Sequence, residues 1–186
     1  MKKQIELGQL PNFFPAPVVL VTAKSGEKES VITIAWCGIV CSKPAMLSIA
    51  VRPSRFSSEI IKQSGEFVVN VPNEKLLWEI DKIGNVSGKE VDKFELLKLS
   101  RAKAEKVQAP ILENCLVAFE CKIKETLSLG THDCFIAEIV SAQAEEKIVS
   151  NGKIDFFKLK PIVLLGSEYW ALGERIEEYG FSNKTK

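Results

Sequence analysis

Short β-rich runs separated by turn residues limit what this chain can fold into more than any other feature of its sequence. Val18–Val21 is continuous and apolar, as in a buried strand. Ser25-Gly26-Glu27 has turn chemistry, and with the next run, Ser30–Trp36, it predicts a hairpin. Asn151-Gly152 is a strong signal for a second hairpin. This spacing predicts a single, mainly β domain over residues 1–186, built as a β-barrel with helical insertions.

Further strands follow from alternation between apolar and polar residues. Met46–Val51 places Leu47, Ile49 and Val51 on one face. Val117–Lys124 alternates as a half-buried strand, which puts Glu120 on its polar side. Other strands are expected at Phe67–Pro72, Asp133–Ser141 and Ile162–Leu165.

Three short helices are expected between these strands. The first, Glu59–Ser64, should end at Gly65. The second should begin after Asn73 as its N-cap and end at Gly84. Its apolar stripe would consist of Leu76, Leu77, Ile80 and Ile83. The third should cover Phe94–Leu99.

Charge, cysteine content and hydropathy exclude several broad classes. The chain has 25 Lys and Arg against 24 Asp and Glu, whereas nucleic-acid binding normally leaves a strong basic excess. The chain has 5 cysteines, an odd number, and most of them lie in apolar runs. This pattern is typical of a reduced cytosolic protein with buried thiols. The longest apolar run, Ile34–Cys41, is far below the ~18 residues of a membrane span. Met1–Glu6 has charge but no apolar segment behind it. We therefore expect a cytoplasmic protein that binds neither nucleic acid nor membrane.

Several catalytic patterns are missing from the sequence. It contains no Walker loop, no Gly-x-Gly-x-x-Gly, and one His, so no metal site is expected. Cys37 and Cys41 could bind metal or form a redox pair. Strand alternation would put both on one face, and the favoured interpretation is that they are a pair of small buried residues. His132-Asp133-Cys134 cannot act as a triad, because adjacent strand residues point to opposite faces.

The stretch Arg52–Ser58 carries the strongest functional signal. It brings two guanidiniums and three hydroxyls to the start of an expected helix. Helix N-termini favour anions, and arginine adds a planar fork that matches phosphate. The alternative is that Ser54 or Ser57 is only an N-cap. From this stretch alone, both interpretations stay open.

The order of segments along the chain resembles the flavin-reductase-like family of FMN-binding split-barrel proteins, which includes flavoredoxins. The segments that carry the resemblance are Pro15–Thr22, Ser30–Trp36 with Val40–Pro44, Arg52–Ser57 followed by Ile60-Ile61 and Gly65–Asn70, Ser87–Phe94, Gly130-Thr131-His132, and Tyr169–Glu174. No one of these motifs is decisive, but the ordered set is specific and spans nearly the whole chain. The resemblance implies a split β-barrel.

The resemblance also implies a cofactor and the residues that hold it. FMN would place its phosphate at the loop that contains Arg52, Ser54, Arg55, Phe56 and Ser57. Its isoalloxazine would lie against the strand that carries Thr33, Ala35, Trp36 and Cys37. Lys93 would meet the phosphate or the polar edge of the flavin. Where the family often has Asn and Gly-Asp-His, this chain has Ser30 and Gly-Thr-His.

The implied activity is that of an FMN-dependent oxidoreductase built as a homodimer. It would be either an NAD(P)H-dependent flavin reductase, with NADH or NADPH as donor, or a flavoredoxin-type electron-transfer protein. The electron donor or acceptor would be a small molecule or a protein. A non-catalytic flavin-binding or sensing module is the alternative. His132 is the candidate catalytic residue at the open face of the flavin, and a hairpin-end histidine without chemistry is its other interpretation.

Overall fold

A seven-stranded antiparallel sheet forms most of the protein in the computed structural model, which describes residues 2–4 and 14–183. Its strands are β2 (Val19–Ser25), β3 (Lys28–Ile34), β4 (Cys37–Ser42), β5 (Ala45–Val51), β6 (Glu66–Val71), β9 (Val117–Leu129) and β10 (His132–Ala144). They lie in the order β3-β2-β6-β9-β10-β5-β4. The expectation about Met1–Glu6 rests mostly on residues outside the described ranges.

Smaller sheets and short helices flank the large sheet. The strands are β1 (Ala16–Pro17), β7 (Arg101–Ala102), β8 (Ile111–Leu112), β11 (Val149–Ser150), β12 (Lys153–Ile154), β13 (Ile162–Leu165) and β14 (Glu168–Ala171). The helices are α1 (Phe56–Ser64), α2 (Leu77–Asn85), α3 (Lys93–Leu96) and α4 (Phe156–Leu159), and 3-10 turns cover Glu74–Leu76, Glu146–Ile148 and Phe181–Asn183. The predicted mainly β architecture with helical insertions is confirmed. Within the described ranges, no helix is long and apolar enough to cross a bilayer.

The β2–β3 hairpin has a separate apolar core on each face, which explains its continuous apolar run. Val19 and Val21 belong to the main core, which α1 covers. Leu20 and Val31 belong to a second core with α2, α3 and β13. Because both faces are covered, no polar alternation is needed along β2.

Turn chemistry correctly marked several chain reversals. Gly65 adopts a left-handed conformation (φ 70°) and its N–H donates to the carbonyl of Ile61, so it ends α1 as predicted. Asn151 and Gly152 both have positive φ between β11 and β12. The α2 region was predicted less well, since α2 continues past Gly84 to Asn85 and Leu77 is exposed.

One strand was expected to carry Thr33, Ala35, Trp36 and Cys37, but β3 ends at Ile34 and Cys37 begins the separate strand β4. The register of β4 also corrects the expectation for two cysteines. Cys37 pairs with Ile49, but the register shifts after Ile39 so that Cys41 pairs with Met46. Ile49 and Met46 lie on opposite faces of β5. Cys37 and Cys41 therefore point to opposite sides, and the prediction of a shared face was wrong.

Glu120 also departs from the expected pattern, since it is fully buried instead of solvated. Its carboxylate accepts hydrogen bonds from the backbone N–H groups of Glu105 and Lys106 and from Gln143 Nε2. The segment that contains Glu105 and Lys106 covers this face of β9. A carboxylate with several donors can be buried where an unpaired one could not.

Candidate functional site

The loop between β5 and α1 presents the predicted phosphate-binding residues at a helix start. α1 begins at Phe56, three residues earlier than predicted, with Arg55 at the N-cap in an extended conformation. No side-chain hydroxyl caps the helix. Ser57 lies in its first turn, so the interpretation of Ser54 or Ser57 as an N-cap is wrong. The first backbone N–H groups of a helix have no intrahelical partner and favour an anion.

A cavity of about 210 Å³, which we call the phosphate cavity, lies beside this loop. All the residues predicted to hold the phosphate line it, together with backbone and side chains from β3, α2 and the following loop. The lining residues are Ile32, Thr33, Arg52, Ser54, Arg55, Phe56, Ser57, Ile83, Gly84, Val86, Ser87, Gly88 and Lys93. Three cations and three serines are present in this set, and no Asp or Glu is. The composition suits a bound anion.

Lys93 is the most deeply buried of the three cations, at 7% exposure. It is the first residue of α3, which Asp92 caps by accepting from the N–H groups of Phe94 and Glu95. Its Nζ donates to the carbonyl of Ile83 at 2.7 Å. Burial, together with the charge of Arg55, lowers the pKa of Lys93 to about 8. An anion in the phosphate cavity would offset both effects.

A larger cleft of about 470 Å³ adjoins the phosphate cavity, and we call it the ring cleft. The two share Ile32, Thr33, Arg52, Arg55 and Gly84 as lining residues. Ala35, Trp36 and His132 also line the ring cleft, as the resemblance implied. A flat group in the cleft could therefore be connected to an anion in the phosphate cavity.

A further part of the ring cleft's lining was not among the predicted site residues. It is formed by α2 and the β13–β14 hairpin, which contribute Asp81, Asn85, Ser167 and Tyr169. Tyr169 donates from its hydroxyl to Asp81 Oδ1 at 3.2 Å, which fastens the hairpin to the helix. Tyr169 stood in a motif quoted for the resemblance, whereas Asp81 had no signal beyond being polar on a helix.

His132 lies at the rim of the ring cleft, directly after the turn at Gly130-Thr131. Its ring centroid is 4.1 Å from that of Trp36, with the planes tilted by 37°. Burial and the charge of Arg52 lower the pKa of His132, so the imidazole is neutral at pH 7. The neighbouring Asp133 instead pairs with Lys62 at 2.6 Å, which agrees with the exclusion of a triad.

Cys37 is the one predicted flavin contact that does not line the ring cleft or the phosphate cavity. Its side chain packs against the main core. Burial raises the pKa of its thiol to about 11, so Cys37 is not a thiolate at neutral pH. The predicted contact between Cys37 and the flavin stays a prediction.

Comparison with known proteins assigns the family. The model of the flavin reductase like domain matches residues 11–169. The chain therefore belongs to the flavin-reductase-like family, and the predicted resemblance and split-barrel fold are confirmed.

Three proteins similar to this chain are a flavoredoxin, an uncharacterized protein and an FMN reductase. The crystal structure of a flavoredoxin from Methanosarcina acetivorans is 31% identical and superimposes with a TM-score of 0.91, over 100% of this chain and 98% of that one. An uncharacterized protein of Archaeoglobus fulgidus is 32% identical over 134 residues, which are 72% of this chain and 75% of that protein. The FMN reductase (NADH) RutF of Acinetobacter baylyi is 26% identical over 123 residues, which are 66% of this chain and 61% of that protein.

Proposed function

We propose that this protein is an FMN-dependent oxidoreductase. The observation that supports FMN most directly is that the ring cleft adjoins a phosphate cavity whose lining contains no Asp or Glu. Arg52, Arg55 and Lys93 would hold the phosphate by charge, and Ser54 and Ser57 would add hydroxyl donors. Riboflavin 5′-phosphate matches this pairing, because it joins a planar ring to one terminal phosphate.

The protein's part in the reaction is to bind and orient. Bound FMN supplies the hydride or single-electron chemistry. Ala35 leaves room for close approach of a ring, and the Thr33 hydroxyl is tied to the carbonyl of Ile80 at 2.6 Å, which fixes the strand beside the cleft. NADH or NADPH is the proposed donor, as the name of the RutF relative suggests.

Electron transfer between proteins is the second candidate activity, because the similar structure from Methanosarcina acetivorans is a flavoredoxin. Stopped-flow mixing of the FMN-loaded protein with NADH or NADPH under anaerobic conditions separates the two candidates. Rapid loss of flavin absorbance supports the reductase. Slow reduction by both nicotinamides, with fast reduction by reduced ferredoxin, supports electron transfer. A colourless protein that takes up no FMN in titration would contradict both.

A homodimer is part of the proposal. Large apolar side chains are exposed near the ring cleft and along β4, including Trp36, Ile39, Leu129 and Trp170. Ile176, on the segment after β14, is 97% exposed. Exposed apolar surface of this kind favours association. Light scattering of the FMN-loaded protein should give twice the monomer mass. The substitution Ile39→Asp should shift the measured mass toward that of the monomer. A monomeric wild type would contradict this part.

The cytoplasm is the proposed location. All five cysteines are described and form no disulfide. Free thiols persist in a reducing compartment.

Replacing His132 with alanine should slow reduction of the bound flavin by NAD(P)H by about tenfold, because the imidazole no longer positions the donor. The affinity for FMN should change little. The neutral imidazole lies against Trp36 at the rim of the ring cleft, where a donor would dock. Stopped-flow rates are compared with the wild type at matched FMN occupancy. Thr131→Val is the comparison variant, because it replaces only the hydroxyl that hydrogen-bonds to His132 Nδ1 and keeps the imidazole. Equal rates for His132→Ala and the wild type would leave His132 as a hairpin-end residue.

FMN affinity should fall as the pH rises through about 8, the pKa of Lys93 in the free protein. The phosphate keeps its full charge over this range, because its second pKa is about 6. Binding favours the protonated lysine, so affinity is highest below this pKa and is lost as the lysine deprotonates. Titrations from about pH 7 to about pH 9.5 bracket the change. Lys93→Met should flatten the profile, and parallel profiles for the two proteins would refute the assignment.

A further inference from the structure

The chain continues past β14 as a segment that we call the arm, residues 172–183. Contacts within the arm give it local structure. Arg175 pairs with Glu178 at 3.3 Å, and the N–H of Phe181 donates to the carbonyl of Glu178. Every residue from 171 to 179 is nevertheless exposed. The arm is therefore scarcely packed against the described body of its own subunit.

Large apolar side chains of the arm face solvent. Leu172, Ile176, Tyr179 and Phe181 are all more than half exposed, and Tyr179 is completely exposed. Single exposed apolar residues are common on protein surfaces. Four of them in one short segment form an apolar surface that association with another surface would cover.

Strand β4 exposes a second apolar surface. It is an edge strand, because it lies at one end of the order of the seven-stranded sheet. Ile39 and Val40, in the middle of β4, are 73% and 50% exposed. An apolar edge strand that is open along its middle is prone to associate with another chain. Both the arm and β4 thus lack a cover within one subunit, and the arm does not supply it to its own β4.

The charges of the two surfaces are opposite. The arm carries three glutamates and one arginine. The β4–β5 hairpin, residues 37–45, contains Lys43 and no acid. Lys43 is exposed and forms no ion pair with any part of the chain that the structure describes. Contact between an acidic arm and this hairpin is therefore electrostatically favourable.

We propose that the arm of one subunit packs on β4 of a second copy of the chain, whose own arm packs on β4 of the first. A twofold axis makes such contacts reciprocal, so one dimer covers both arms and both β4 strands. Ile176 and Tyr179 would supply the apolar contacts with Ile39 and Val40. This inference rests on the homodimer of the proposed function and assigns the segments that hold it together.

The first test measures the dissociation constant of the dimer by analytical ultracentrifugation of the FMN-loaded protein. Ile176→Asp should weaken the dimer by at least about tenfold, because it places a charge where an apolar side chain would be buried. Phe157→Asp is the matched control, since it makes the same kind of change at an exposed residue of α4. That variant should leave the dissociation constant unchanged.

The second test locates the arm by photo-crosslinking. A photoreactive p-benzoylphenylalanine in place of Tyr179 should give a product of twice the monomer mass, with the crosslinked peptide in residues 37–43. Adding Ile39→Asp should reduce the yield of this product. The same photoreactive residue in place of Phe157 should give no crosslink to β4.

The outcomes separate this inference from the proposed homodimer. A weakened dimer in Ile176→Asp together with crosslinks from position 179 to β4 of the other subunit supports the exchanged arms. A wild-type dimer that Ile176→Asp leaves unchanged overturns them, and so do crosslinks that stay within one chain or reach another segment. A wild type that is monomeric when loaded with FMN contradicts the homodimer itself.

Discussion

Replacing Arg52 or Arg55 with alanine is expected to weaken FMN by about tenfold to a hundredfold while riboflavin affinity changes much less. Both guanidiniums line the phosphate cavity. A charge-assisted hydrogen bond contributes about 1.5–3 kcal/mol, which corresponds to this range of affinity. Riboflavin lacks the phosphate, so losing the phosphate contact would not lower its affinity. Fluorescence titration of the apoprotein with both flavins gives the two ratios.

The comparison of the two flavins distinguishes a phosphate contact from a structural role. Both arginines also line the ring cleft, so a small change for riboflavin is expected. Arg175→Ala is the control, because Arg175 pairs with Glu178 on the segment after β14. If riboflavin is weakened as much as FMN, the arginines support the fold of the loop and the phosphate cavity is misassigned.

Asn70→Ala should lower the free energy of unfolding by about 3 kcal/mol, because it leaves several buried polar groups unpaired at once. Asn70 lies fully buried on β6. Its Nδ2 donates to the carbonyl of Leu20 and to Thr22 Oγ1, and its Oδ1 accepts from the N–H of Leu112. One side chain thus joins β6, β2 and β8.

Urea unfolding followed by circular dichroism measures this change. Gln63→Ala is the control, because Gln63 lies on α1 and its exposed amide donates to Glu59, one turn away. That variant should stay within about 0.5 kcal/mol of the wild type. A loss of less than about 1 kcal/mol in Asn70→Ala would mean that water replaces the buried contacts.

Local chemistry predicted much of this fold. Gly65, Asn73 and Asn151-Gly152 act where their turn and cap preferences place them, because these effects depend on a few adjacent residues. The phosphate-cavity residues were found for a similar reason. The residues predicted to hold the phosphate lie in one short loop, except Lys93, which came from the family resemblance.

Features that depend on distant segments were not predicted. Glu120 is buried because the segment around Glu105 and Lys106 folds over it. The alternation of apolar and polar residues along β9 does not indicate this covering segment. The register shift in β4 is set by pairing with β5, so the face of Cys41 could not be read from spacing. Asp81 reaches the ring cleft only because α2 packs beside β3.

Helix α1 connects the phosphate cavity to the interior of the protein within about one turn. Phe56 and Ser57 line the cavity, whereas Ile60 and Ile61 are completely buried in the main core. A ligand that binds only the folded state stabilises it by mass action. Cofactor loading and core packing are therefore thermodynamically linked through one rigid element. Loss of colour during purification or heating would report loosening of the barrel interior as readily as damage to the phosphate-binding loop.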